Sequence, residues 1–383
     1  MRIFVIPSVF PSKINPNSGS FILEQCKALS SAGYKVVVLY VETLRYKNWV
    51  NKKNVAQNYS IDNIEILYSN YCGLASNKYP NYAINKYNNK LFKLFHDALK
   101  KYGPPNFMHA HFTFTAGIGT YELHKMTGIP FIVTEHSSLY FDHKLNKTII
   151  KNLSIVIENA FSFLAVSEIL RESIKYFIGS NYEIGIIKNM LDDSFKFYPK
   201  VSLNDTKFTF FSAGNLVKNK NFQMLIDSFC QEFNEDEKVI LRICGNGPER
   251  KSLETSVKRY KRSHQISFLG YLNRDEILNQ YISCNCFVLT SLYETFGIVY
   301  REALAVGRPI ISSKNGGILE GWDEDFGILI DNNDVASCKL ALRQMYTHIN
   351  SYNGKLMSEK IRTKYSKEVL IEKINEISSR ITS

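Results

Sequence analysis

Two glutamates eight positions apart, Glu294 and Glu302, stand in a segment whose other residues say what a pair of carboxylates could do there. Ser291 to Gly317 reads SLYETFGIVYREALAVGRPIISSKNGG. Just before it, Cys286 to Leu289 is a short apolar run suited to a buried parallel strand. Within it, Ile298 to Val306 has helical length and ends at Gly307, before Pro309. Glu294 therefore falls on a loop and Glu302 inside a helix. That helix is apolar on nearly every side, through Val299, Tyr300, Ala303, Leu304, Ala305 and Val306, so Glu302 is expected to be partly buried and to need partners. At the helix start, the N–H groups of Phe296, Gly297 and Ile298 lie at the positive end of the dipole and can donate to phosphate or sugar oxygens. Gly297 admits a ligand close to the backbone. The combination suits a sugar nucleotide.

Other turns carry compatible chemistry. The strand-like run Phe208 to Ser212 leads into AGNLVKNKNF, where Gly214 permits a tight turn and Lys218 and Lys220 precede a helix, a place for a diphosphate. Cys244-Gly245-Asn246-Gly247-Pro248 ends another strand, but Arg250 occupies the third glycine position of a dinucleotide fingerprint, which argues against a nicotinamide enzyme. Asn315-Gly316-Gly317, with Glu320 and Gly327 beyond it, reads as a glycine-rich turn. In the first half, Asn17 to Phe21 turns at Gly19 into a helix whose N–H groups could face a diphosphate or an acceptor, and a plain helix start explains it equally well. His109 and His111 end one strand, Glu135 and His136 another, at the sheet rim where binding residues collect. No third ligand has metal spacing beside the histidines. The seven cysteines lack Cys-x-x-Cys spacing and read as reduced core thiols, so no metal is assigned. Asp323-Glu324-Asp325 satisfies an Asp-x-Asp pattern, yet it follows Gly321-Trp322 in a polar turn and reads as a solvated surface.

The ordered set Phe-Gly, Glu-x7-Glu, Ala-x-x-x-Gly-x-Pro and Gly-Gly resembles the signature of the retaining glycosyltransferase family 4 group, of GT-B fold and bacterial surface-polysaccharide type. The resemblance covers essentially the whole chain. It implies that Glu302 binds the ribose diol and that Glu294 lies beside the transferred sugar. It makes Lys220 the lysine that neutralises the leaving diphosphate, and His136 the histidine that reaches the sugar. It also places Gly245 and Gly247 beside the nucleotide base. Asn215 stands where the family often has arginine; it donates hydrogen bonds but carries no charge, which leaves Lys218 to compensate.

These residues need elements to hold them. At 383 residues, 45% hydrophobic and 13% aromatic, the chain fits two well-buried domains. Strand-like runs at Ile3–Ile6, Lys35–Leu39, Phe107–Ala110, Phe131–Thr134 and Phe163–Val166 alternate with helices. A second alternation has strands at Phe208–Ser212, Val239–Ile243, Ile266–Leu269, Cys286–Leu289 and Pro309–Ile311. The polar stretch Asp192–Lys207 between them reads as a linker. The expected fold is α/β, two Rossmann-like doubly wound domains facing across a cleft: an acceptor domain over 1–195 and a nucleotide-sugar domain over 205–365. The segment 366–383 is a helix that the resemblance sends back to the first domain.

Charge is uneven. Residues 1–200 hold 23 Lys and Arg against 14 Asp and Glu, residues 201–383 hold 24 against 22, so the basic surface belongs to the first half. Ile84, Tyr87, Leu91, Leu94, Phe95 and Ala98 form one helical apolar stripe with Lys86, Lys90, Lys93 and Lys100 opposite. That is either a basic amphipathic helix lying on anionic lipid or an ordinary surface helix. No apolar run spans a membrane and the N-terminus lacks signal-peptide character, so a cytoplasmic chain is expected, and its basic charge suits the inner face of the plasma membrane. The expected activity is transfer of a sugar from a nucleoside diphosphate to a glycan or lipid-linked acceptor, with no cofactor beyond the donor and no nucleic-acid partner. Two alternatives are a non-catalytic binder of anionic lipid or nucleic acid, and a nucleotide-dependent oxidoreductase.

Overall fold

A computed structural model describes residues 1–44, 57–73, 79–141, 145–199, 207–234 and 236–382. The chain divides into two compact units, Met1–Met190 with Lys367–Ser383, and Leu191–Ser366.

The first unit is built on strands β1 (Arg2–Pro7), β2 (Lys35–Leu44), β3 (Tyr59–Ile61), β4 (Ile64–Cys72), β5 (Phe107–His111), β6 (Phe131–Glu135), β7 (Ser162–Ala165) and β8 (Gly185–Ile186). Their order is β3-β4-β2-β1-β5-β6-β7-β8, parallel throughout except β3 against β4. The chain leaves β1 toward one edge and resumes at β5 on the other side, so the strand order reverses between β1 and β5, where doubly wound sheets bind ligands. Helix Pro80–Tyr102 buries Ile84, Tyr87, Leu91, Leu94, Phe95 and Ala98 within this unit, with Phe95 edge-on to Phe4 of β1 at 6.0 Å. Each larger side chain so buried contributes about 1.5–3 kcal/mol. The stripe is therefore spent on the core and cannot insert into lipid, whereas Lys86, Lys90, Lys93 and Lys100 remain exposed. The terminal helix Lys367–Thr382 adds Leu370, Ile374 and Ile377 to the core beside Leu29 and Tyr34. The Tyr34 hydroxyl reaches Asn375 Oδ1 at 2.5 Å and Ser378 Oγ at 3.0 Å.

The second unit has six parallel strands, β9 (Phe208–Ala213), β10 (Val239–Cys244), β11 (Ile266–Gly270), β12 (Cys286–Leu289), β13 (Ile310–Ser313) and β14 (Gly327–Ile330), in the order β11-β10-β9-β12-β13-β14. Here the reversal falls between β9 and β12, paired with Phe210 opposite Cys286 and Phe211 opposite Phe287. One departure from expectation is the stretch Asp192–Lys207. Residues 200–206 lie outside the described residues, but Leu191 and Phe195 are buried, and Phe195 meets Tyr281 edge-on at 5.8 Å. Tyr198 also receives a 3.0 Å hydrogen bond on its carbonyl from buried Arg308. Aromatics within a polar sequence tie this segment to the second unit, so its beginning is core rather than linker. Strands β3, β4, β8 and β14 also go beyond the expected set. All are short or peripheral except β4, whose Ile66, Leu67 and Tyr68 are buried on both faces.

Candidate functional site

Lys220 and Glu294 lie on the loops that follow β9 and β12, the two strands at the reversal, and form an ion pair through Nζ and Oε1. Both side chains are mostly buried, at 19% and 11% exposure. Two local devices bring them together. Asn219 joins the loops by accepting from Tyr293 N at 3.2 Å, donating to Tyr293 O at 3.0 Å and receiving Leu292 N on its own carbonyl at 2.8 Å. Gly317 lets the chain pass under Glu294, since a Cβ there would lie 2.7 Å from Glu294 Cβ and from its carbonyl oxygen. The methylenes of Lys220 pack over Gly214. Gly245, at φ +129°, stacks on Gly214 so tightly that a Cβ would sit 1.9 Å from Gly214 O, and Gly247 lies against Leu216 O. The glycines thus build the floor of the loop cluster. Asn215 and Lys218 are exposed, and no described contact ties either to the Lys220–Glu294 pair.

Helix Ile298–Ala305 starts from Gly297 in the left-handed conformation and is fastened to β12 by Tyr300, whose hydroxyl donates to Leu289 O at 3.1 Å. Phe296 is buried, so only its backbone can serve a ligand. Glu302 is 3% exposed and engaged on both oxygens: Oε1 accepts from Arg274 Nη1 at 2.7 Å and Oε2 from Tyr281 OH at 3.1 Å. Sequence reading anticipates its burial but not these partners, since neither Arg274 nor Tyr281 belongs to a recognisable motif. Arg301, on the same helix, is also buried. Its guanidinium lies between the rings of Phe296 and Tyr365, at 4.0 and 4.7 Å from their centroids. It donates to the carbonyls of Phe296, Gly297, Gly317 and Glu320, gathering them around one cation. A buried cation here biases the loop cluster toward anions.

In the first unit the sites foreseen on β5 and β6 converge. His111 Nδ1 and His136 Nε2 share a hydrogen bond of 3.0 Å, and His109 Nε2 pairs with Thr134 Oγ1 at 2.8 Å. His136 packs against Phe21 and Phe112. Burial lowers His136 and His109 to about 3 and holds His111 well below the ordinary imidazole range, with neighbouring histidines adding to the effect on His111 and His136. All three are neutral at physiological pH. Glu135 is wholly buried and saturated: Oε1 accepts from His136 N and Ser137 N, Oε2 from Thr113 N and Tyr140 OH. It pins the loops after β5 and β6 rather than offering a free oxygen to an acceptor. Beside it lies a cavity of about 300 Å³, bordered by Ser8, Phe112, Phe114 and Tyr140, where Phe112 and Thr115 have positive φ of 72° and 64°. Gly19, also in this unit, starts helix Ser20–Ser31 and lies against Val9 O, where a Cβ would come within 2.5 Å.

Among the described residues no group of three His, Cys, Asp or Glu side chains could hold a metal ion. The cysteines are free thiols, all buried except Cys72, which is half-buried. Asp323 and Asp325 are bridged by Lys360 Nζ at 2.6 and 2.7 Å. No helix among the described residues is long and apolar enough to cross a membrane.

Two family models match the chain in tandem: Glycosyltransferase Family 4 over residues 18–195, and Glycosyl transferases group 1 over residues 193–353. N-acetyl-alpha-D-glucosaminyl L-malate synthase of Bacillus anthracis is 26% identical over 226 residues, 56% of this chain and 58% of that protein. The chain spans 33%, 48% and 26% of three other curated relatives, so it accounts for less than half of their lengths. Among solved structures, sucrose-phosphate synthase of Thermosynechococcus elongatus superposes with a TM-score of 0.82 at 17% identity, covering 100% of this chain and 99% of that one. HepE of Anabaena, in complex with UDP and glucose, gives 0.74 at 16%, covering 99% and 100%. At such identities these superpositions speak for the fold.

Proposed function

The chain belongs to the glycosyltransferases of group 1 and family 4, with the GT-B fold, and from that premise we propose that it transfers a sugar from a nucleoside diphosphate to an acceptor hydroxyl with retention of configuration. The observation that carries this reading is the Lys220–Glu294 pair at the strand reversal of the second unit, with Glu302 one helix away. In this reading Lys220 and the N–H groups of Phe296, Gly297 and Ile298 take the diphosphate, stabilising charge as it leaves. Asn215 and Lys218 stand at the exposed rim of that site, and Gly214, Gly245 and Gly247 shape its floor. Glu294 orients the sugar and Glu302 takes the ribose diol. A nucleoside diphosphate with its sugar is also what HepE holds, as UDP and glucose.

His136 serves as the sugar-facing histidine of the first unit. Being neutral, it contributes a hydrogen bond and not a charge, and its Nδ1 is the ring nitrogen without a described partner. His111 fixes its orientation and His109 backs that pair. No metal is assigned to the reaction, since the Asp-x-Asp carboxylates are already bridged by Lys360. The acceptor is a glycan or lipid-linked saccharide of surface-polysaccharide assembly, and exposed Lys86, Lys90 and Lys93 hold the enzyme at the anionic cytoplasmic face by charge alone. A panel of nucleotide sugars scored for binding and slow hydrolysis tests the reading. One donor should bind and be hydrolysed slowly without acceptor; failure of every donor to bind would overturn it.

A further inference from the structure

Arg274 is the first residue of helix Arg274–Ser283, and its guanidinium is fixed on three sides. Nε donates to Asp192 Oδ2 at 3.1 Å, Nη1 donates to Glu302 Oε1 at 2.7 Å, and the plane lies 4.2 Å above the centroid of Phe195. Asp192 is itself held by Ser194 N at 2.8 Å. Across the carboxylate, Tyr281 is wholly buried and its hydroxyl lies 3.1 Å from both Glu302 Oε2 and Val299 O, sharing its one proton between them. Glu302 thus has one donor on each oxygen. A carboxylate offers about four acceptor positions, so one further position remains on each oxygen, the number a vicinal diol requires.

We infer that Arg274 is a positioning residue for nucleotide recognition: together with Tyr281 it sets the plane of Glu302, so that the two remaining acceptor positions of that carboxylate select a ribonucleotide over its 2′-deoxy form. The inference rests on the reading of Glu302 as the ribose ligand. Two carboxylates share the one guanidinium, so Glu302 is anchored without being fully neutralised and stays a strong acceptor. Without Arg274 its only described donor is a neutral hydroxyl, and a buried carboxylate left without its cation loses the contact that fixes its plane. Lysine would restore charge but not the fork that reaches Asp192 and Glu302 together.

The test is calorimetric titration of the full chain with UDP, GDP and ADP and their 2′-deoxy counterparts, continued with whichever ribonucleotide binds most tightly. The wild type should prefer the ribonucleotide. Arg274→Ala should weaken ribonucleotide binding roughly tenfold to a hundredfold while changing the 2′-deoxy form much less, so the preference collapses. Arg274→Lys should fall between, and it carries the test if the alanine variant does not fold. At saturating donor, kcat should move less than the donor KM. Retained preference in Arg274→Ala, tighter ribonucleotide binding, or equal loss for both forms would overturn the inference. Glu302→Ala separates the two levels: if it keeps the preference, the ribose reading of Glu302 fails. If it abolishes the preference while Arg274→Ala does not, the inference alone fails. A wild type that binds none of the three nucleotides sinks both.

Discussion

The two units are built on the same plan, a doubly wound sheet with one reversal of strand order, yet the side chains gathered at the strand ends are charged in one and neutral in the other. In the second unit they carry formal charges: Lys220 against Glu294 on the loops after β9 and β12, and, on the helices that follow β11 and β12, Arg274 against Glu302 with buried Arg301 on the same helix as Glu302. In the first unit His109 and His111 of β5 and His136 just past β6 are kept neutral by burial, and the buried carboxylate beside them, Glu135, has both oxygens occupied. Because the side chains at the strand ends decide the chemistry while the sheet only places them, one architecture carries a charged cluster in one unit and a neutral one in the other.

The largest break in that contrast should come from Lys220→Ala. If its charge counts most as the diphosphate departs, turnover should fall about a hundredfold or more, with donor affinity less affected. Steady-state kinetics decide it. Lys218→Ala, outside the pair, should stay near wild type, and the opposite ranking would hand the role to Lys218.

Glu302→Ala should weaken donor binding by about 1.5–3 kcal/mol, the worth of a hydrogen bond to a charged group, with kcat changed less. Unchanged affinity in a folded variant would remove Glu302 from the nucleotide site.

The neutral side of the contrast predicts a pH dependence of stability. His109, His111 and His136 have folded-state pKa values below the ordinary 6.5, so between pH 6.5 and about 3 the unfolded chain binds more protons than the folded one. Stability is then intact above pH 6.5 and declines as pH falls through that window, at up to about 1.4 kcal/mol per pH unit for each histidine. Urea unfolding at pH 7.5, 6.5 and 5.5 should show the loss setting in below 6.5, and His136→Phe should flatten the slope. A flat profile in the wild type would mean that the histidines are not buried neutral.

The smallest expected effects concern the basic face of helix Pro80–Tyr102. With its apolar stripe in the core, attraction to anionic vesicles is purely electrostatic. Each of Lys86→Ala, Lys90→Ala and Lys93→Ala should lower partitioning by about 1 kcal/mol at low salt, and binding should vanish as salt rises. Salt-resistant binding would point to apolar contact elsewhere.

Much of this is legible in sequence. The apolar runs of β1, β5, β6, β9, β10 and β12 are fully or largely buried and read directly as strands, and the glycines at 214, 245, 297 and 317 mark real turns and close approaches. The residues that sequence does not single out are those whose role depends on tertiary neighbours. Asn219, Arg274 and Tyr281 look like ordinary surface or helix residues until the loops and helices are assembled around Glu294 and Glu302. The aromatic segment after Leu191 reads as a linker because its polar neighbours dominate the composition, although Phe195 alone supplies a core side chain. Glu135 shows the reverse: its place at a strand end suggests a ligand, but four local donors consume it.

The division of labour within the second unit is tested most directly by calorimetry of the wild type, Lys220→Ala and Glu302→Ala with a nucleoside and with its diphosphate, beginning with uridine and UDP. The account predicts that Glu302→Ala weakens both ligands alike, because both carry the ribose, while Lys220→Ala weakens only the diphosphate. Equal effects of Lys220→Ala on nucleoside and diphosphate, or no effect of Glu302→Ala on either, would contradict it.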